Sequence, residues 1–234
     1  MMFDPPFTIA QFFAVFADYN SAIWPLQIIA YGLGILAILA LWLRGTIVNH
    51  AILAVLALMW ALNGIGYHFF FFAEINPIAK GFAAVFLLQS VLLTASILIP
   101  NDLRFEVQDD FRSKAGLSFL VYALFTYALL GYFAGRGLMA GPMFGVAPCP
   151  TTIFTIGMLI LARGRFVVWL SIIPILWSLV GLAAAMQLGI PEDFGLPVAG
   201  ATLFIVLWVP ALWRERDREM SGATTDAVDA QASL

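Results

Sequence analysis

Six stretches of this chain, near residues 22–43, 47–72, 77–99, 116–136, 166–188 and 194–213, are almost continuously apolar. Each reaches the roughly 20 residues that a helix needs to cross a bilayer. A seventh, shorter run lies at 150–162. A soluble domain averages about 45–50% apolar and about 25% charged residues. Here 62% of the residues are hydrophobic and 11% charged, more apolar surface than a soluble fold of 234 residues can bury, so most of it must meet lipid. The fold expected is an all-α integral membrane protein with seven transmembrane helices, preceded by a short amphipathic interfacial helix. Residues 1–21 form the N-terminal amphipathic segment, 22–213 the seven-helix domain, and 214–234 a polar tail read as disordered.

The N-terminal segment reads "PPFTIAQFFAVFADYN". Thr8 and Gln11 have the spacing of a capping box, and Ile9, Phe12, Phe13 and Phe16 share one helical face. Such a helix is expected to lie in the interface plane. No basic region precedes the first apolar run, so no cleavable signal peptide is expected.

The basic residues set an orientation. Arg44, Arg104, Arg112, Lys114, Arg163, Arg165, Arg214, Arg216 and Arg218 fall on one side of the seven-span scheme, and only Lys80 and Arg136 on the other. Nine against two puts the C-terminus in the cytoplasm and the N-terminus outside. A re-entrant fifth segment would break this alternation. Gly131 with Gly135, and Gly181 with Ala185, give small-residue faces for close helix contact. Pro174 is expected to kink the sixth span. No internal repeat is visible, so an inverted-repeat transporter architecture has no support.

The single cysteine, Cys149, lies in "GVAPCPTTIFTIG". One thiol forms neither an internal disulfide nor a C-x-x-C dithiol. With Pro150 at the first helical position, Cys149 falls at the N-cap of a helix too short for the full hydrocarbon core. Its lead-in "GLMAGPMFGVAP" is irregular and must be enclosed by protein or line a wet cavity. At that helix start the unpaired N–H groups would favour a thiolate, and Thr151, Thr152 and Thr155 add hydroxyls. The plainer alternatives are a cysteine acting as a small buried hydrophobe and threonines bonding back to their own helix.

Other polar residues collect toward the same side. Asn63, Tyr67 and His68 approach the outer end of the second span, Glu74, Asn76 and Lys80 follow at the turn, and Arg136 ends the fourth span. Cys149, His68, Tyr67, Asn63, Thr151, Thr152, Glu74, Lys80 and Arg136 are the candidate ligand-binding residues, because ionisable groups near membrane depth carry function by default. Against this, Lys80 and Arg136 read more simply as basic residues reaching for headgroups, and Asn76 as a turn residue before Pro77.

Several chemistries are excluded. His50 and His68 sit on one helix about 27 Å apart by rise per residue and do not share a metal. The last span contains no lysine for a retinal Schiff base. There is no G-x-S-x-G, H-E-x-x-H or phosphate-binding glycine loop, and no basic domain for nucleic acid. A soft metal would suit a thiolate, but the residues name no cofactor.

The segments "FTIAQFFAVFADYNSAIWP", "GYHFFFFAEINPIAKGFAAVFLLQS" and "FGVAPCPTTIFTIG" together resemble a family of bacterial multi-pass membrane proteins of unknown function. The resemblance spans essentially the whole apolar region and implies a bacterial inner-membrane protein. It brings no activity and no functional residue. Three readings follow. The first is binding or transport of a small ligand through an outward-facing pocket; the second is an accessory subunit of a membrane complex. The third is a membrane thiol enzyme, with Cys149 as nucleophile and His68 as base.

Overall fold

The computed structural model describes residues 6–137 and 139–209; the tail expected at 214–234, with its three arginines, lies outside them. Eight helices account for most of the described chain. They are α1 (Ile9–Ala22), α2 (Leu26–Ala40), α3 (Thr46–Glu74), α4 (Ala79–Leu98), α5 (Phe111–Arg136), α6 (Pro148–Leu161), α7 (Phe166–Leu188) and α8 (Gly195–Trp208). Helices α3, α4, α5 and α7 are long and apolar enough to cross a membrane. Five spans result if α1 and α2, bent by 86° at their junction, count as one. Each of the seven expected runs contains one helix, but α2, α6 and α8 have 14 or 15 helical residues in the described chain.

Helix α1 begins with the expected capping box. The Gln11 amide donates to Thr8 Oγ1 at 3.2 Å, and the Thr8 amide donates to Gln11 Oε1 at 2.8 Å. Its packed face is rotated from the expected one. Val15, Phe16, Tyr19 and Asn20 are buried, whereas Ile9 is half exposed. The expected face followed the phenylalanines; the helix turns toward the residues that meet the rings of Tyr67 and Phe71.

Helix α6 is the centre of the molecule. Thirteen of its fourteen residues are buried, all but Cys149, against α3, α5, α7 and α8. Lipid tails are as apolar as leucine, so close packing must hold such a helix in place. Small residues allow it: a Cβ on Gly157 would stand 3.0 Å from the Gly116 carbonyl and 2.8 Å from Leu120 Cδ2. Gly181 similarly lies against Leu196 of α8, but Gly135 does not serve as a contact face. Its φ of +83° ends α5 instead, with nothing close to it.

Polar contacts complete the backbone. At the far end of α6, Arg112 donates to the carbonyls of Ile160 and Ala162, at 2.5 Å each. These carbonyls have no partner within the helix, so the arginine caps it. Beside them, the short strands β1 (Arg104–Phe105) and β2 (Ala162–Arg163) pair antiparallel, and Arg163 meets Asp110. Arg44 and Arg104 line a polar recess at this end, and Asp102 carboxylate oxygens there accept from the Arg165 amide. The outward surfaces are apolar: Ile28, Leu36 and Leu39 on α2, and Trp169, Leu176 and Leu179 on α7, are all more than half exposed. A patch of this extent is a liability in water and a normal surface in lipid.

Candidate functional site

The end of α6 remote from the arginines opens on a cavity of about 360 Å³. It is lined by α1, α3, α4, α7, the first turn of α6 and the loop before α8. Three features of the chain build it.

The first is the C-terminal third of α3. Residues Asn63–Phe71 (NGIGYHFFF) widen into π-helical turns. Such turns are uncommon and cluster at functional sites. Gly64 and Gly66 let the backbone lie close to α4 and to Tyr19, since a Cβ at either would come within 3.2 Å of neighbouring atoms. The widened turns direct Tyr67 and His68 inward, while Phe69 and Phe70 face outward.

The second is the lead-in to α6. Residues 141–148 are buried apart from half-buried Met143. Two asparagines hold it: Asn20 Nδ2 donates to the Met139 and Gly141 carbonyls, and Asn63 Nδ2 to the Gly145 carbonyl. Gly145 has φ +78°, and a Cβ there would stand 2.6 Å from that of Ala30. Helix α6 starts at Pro148, two residues earlier than expected, so Cys149 is its second residue and not its N-cap. Pro148 is well suited to the first position, because a helix leaves that N–H unpaired.

The third is the loop between α7 and α8, whose Glu192 and Asp193 were not singled out from the sequence. Both are buried, at 0% and 3% exposure. Glu192 Oε1 pairs with Arg136, whose guanidinium also stands 5.1 Å over the Phe13 ring. Asp193 Oδ1 accepts from the Tyr127 hydroxyl, and Cys149 lines the same cavity as this carboxylate. Burial pushes the Asp193 carboxyl up to about 6, against the opposing effect of the Tyr127 hydrogen bond. The available signal was "IPEDFGLP", two adjacent acids in an otherwise apolar connection, together with a tyrosine in mid-span.

Of the candidate residues, Cys149, His68 and Tyr67 line this one cavity. His68 is 1% exposed and boxed by aromatic rings, 4.7 Å from Phe86 and 5.3 Å from Trp177 between centroids. Among the described residues, neither of its ring nitrogens has a hydrogen-bond partner, nor does Trp177 Nε1. Cys149 therefore makes no hydrogen bond to His68, and the nucleophile–base pair considered from the sequence is not formed.

The remaining candidates are elsewhere. Asn63 and Thr151 bond to each other at 3.3 Å, bracing the cavity without lining it. Thr152 bonds back to the Pro148 carbonyl, and Thr155 accepts from Trp60 Nε1 at 2.9 Å. Glu74 and Lys80 are exposed beyond the cavity rim. Arg136 does not reach for headgroups; it is the counter-ion of Glu192. Asn76 lines the cavity and accepts the Ile78 amide, as a turn residue does. Among the described residues, no three His, Cys, Asp or Glu side chains are grouped to hold a metal ion.

No curated protein and no solved structure matches this chain. A family model does match, over residues 9–218, from the first residue of α1 to beyond the last described helix. The chain belongs to the Family of unknown function (DUF6064).

Proposed function

We propose that this protein binds a small, largely apolar molecule in the cavity between α1, α3, α6 and α7. The observation that carries this reading is His68. A neutral imidazole has one donor and one acceptor, and leaving both unpaired in the interior costs about 1–3 kcal/mol each. Such a residue on a cavity wall beside Trp177 Nε1 is suited to a ligand that supplies the missing partners. A concave, mainly aromatic site with few polar groups is the usual form of a small-molecule pocket. The cavity also favours binding over a purely structural role in a larger complex.

The membrane arrangement belongs to the same proposal: seven spans in a bacterial inner membrane, with the N-terminus outside and the C-terminus in the cytoplasm. The cluster of arginines at the far end of α6 supports it through the positive-inside rule. The cavity then opens outward, which suits capture or transport of a ligand from that side. A reporter fused after Leu234 is expected to behave as cytoplasmic, and periplasmic activity would overturn the orientation.

Cys149, as the only thiol, gives the binding test. In intact cells a small membrane-impermeant thiol reagent added outside is expected to modify it. Apolar compounds that fill the cavity are expected to slow N-ethylmaleimide on the purified protein. A thiol that reacts only after denaturation removes the reading.

A further inference from the structure

The cavity wall has an unmatched negative charge. Two carboxylates, Glu192 and Asp193, are buried side by side, and Arg136, the one cation beside them among the described residues, is paired with Glu192. Asp193 alone of the two lines the cavity, and its hydrogen-bond donor, Tyr127, is uncharged. Among the described residues no lysine or arginine lines the cavity, and Lys80 is exposed outside it. A buried carboxylate without a matching cation is costly, and an interior site tolerates it best when a ligand provides the counter-charge.

The remainder of the wall suits the same kind of ligand. Phe7, Phe12, Phe16, Tyr67, Phe72 and Trp177 present an aromatic lining. Aromatic faces attract cations, and most strongly where water is excluded; quaternary ammonium groups are recognised in this way. His68 and Trp177 Nε1, both unpartnered, leave places for a polar atom on the ligand body.

We infer that the cavity takes an apolar organic ammonium ion, its cationic head beside Asp193 and its hydrocarbon or aromatic body against the rings of α1, α3 and α7. This rests on the binding reading above and adds the charge of the ligand. A neutral apolar molecule would fill the same volume but leave Asp193 uncompensated, so a matched pair of probes separates the two.

The test uses the full chain in lipid nanodiscs and follows alkylation of Cys149 by N-ethylmaleimide. Protection by benzyltrimethylammonium is compared with protection by its uncharged carbon isostere, neopentylbenzene, at equal free concentrations. The cation is expected to protect at a concentration lower by about tenfold or more, the size of a desolvated cation–aromatic contact. In Asp193→Asn this preference is expected to fall to the part that the aromatic faces supply, while protection by neopentylbenzene remains; a preference unchanged in the variant overturns the placement of the cationic head beside Asp193. Equal or better protection by the neutral isostere in the unaltered protein overturns the ammonium inference and leaves the cavity as a binding site. If neither compound protects, both readings fall. The comparison in the unaltered chain needs no variant to fold.

Discussion

The side-chain amide of Gln89 on α4 donates to the Leu170 carbonyl on α7, at 2.9 Å, four residues before Pro174. In an uninterrupted helix that carbonyl would accept from the amide of residue 174. Proline has no amide hydrogen, so the carbonyl is left free inside the bundle. Gln89 is fully buried and replaces the missing donor. The proline within the helix and the glutamine on its neighbour are therefore one device.

Gln89→Leu is expected to cost about 1–2 kcal/mol, because it orphans a carbonyl in a medium with no water to satisfy it. In a Pro174→Ala background the backbone amide returns, and the same change is expected to cost much less. Thermal unfolding of the four purified proteins gives the coupling between the sites. Equal costs in both backgrounds would show that the glutamine does not compensate for the proline.

A second pair predicts a larger coupling. Arg136 and Glu192 join the end of α5 to the loop before α8, with side chains 13% and 0% exposed. Arg136→Met leaves Glu192 as a buried charge without its cation, and removal of one member of such a pair costs about 3–5 kcal/mol. Arg136→Met with Glu192→Gln is expected to recover most of the loss. Denaturation midpoints of the single and double variants decide this, and a single variant as stable as the parent would mean that the pair carries no net attraction.

Gly145 offers a test of the lead-in itself. With φ at +78° and Ala30 in the way of a Cβ, Gly145→Ala combines backbone strain with a steric clash. It is expected to destabilise by at least about 1 kcal/mol, where Gly→Ala at a compatible site would stabilise. It should also loosen the enclosure of Cys149 and speed its alkylation. An unchanged melting temperature with unchanged alkylation would show that this turn does not hold the start of α6.

The helices were legible because apolar run length is a direct physical requirement of the bilayer, and each expected run contains a helix. The capping box of Thr8 and Gln11 was legible because its contacts are three residues apart. What escaped depends on contacts between distant segments. Which face of α1 packs is decided by Tyr67 and Phe71, some 50 residues on by the numbering. The role of Arg136 depends on Glu192, 56 residues away, so a basic residue at a helix end read as a headgroup contact. The boundary at Pro148 was misplaced because either proline fits a first helical turn. The meeting of Cys149 with Asp193 and Tyr127 had no local signature, since each is unremarkable within its own stretch.

Asp193 gives the pH prediction, and its sign follows from linkage. Its carboxyl is raised to about 6 in the folded protein, first by burial and further by neighbouring Glu192, against an ordinary value near 3.9. The folded state therefore holds its proton more tightly than the unfolded chain does. Stability gained from this group is complete below about pH 4 and is lost as pH rises through about 6. The groups facing the carboxylate are Tyr127 on α5, Cys149 on α6, and Glu192 with Arg136 beside it. Asp110, at the other end of the bundle, has the opposite sign. Although burial acts to raise it, the Ser113 hydrogen bonds and Arg163 bring it below its ordinary value, so its contribution is lost only in stronger acid. The Asp193 contribution is isolated by comparing the parent with Asp193→Asn: relative to the parent, the variant is expected to gain in melting temperature as pH rises from 5 to 7.5. A variant that keeps the full pH dependence would assign the effect to another group and leave Asp193 ionised at no cost.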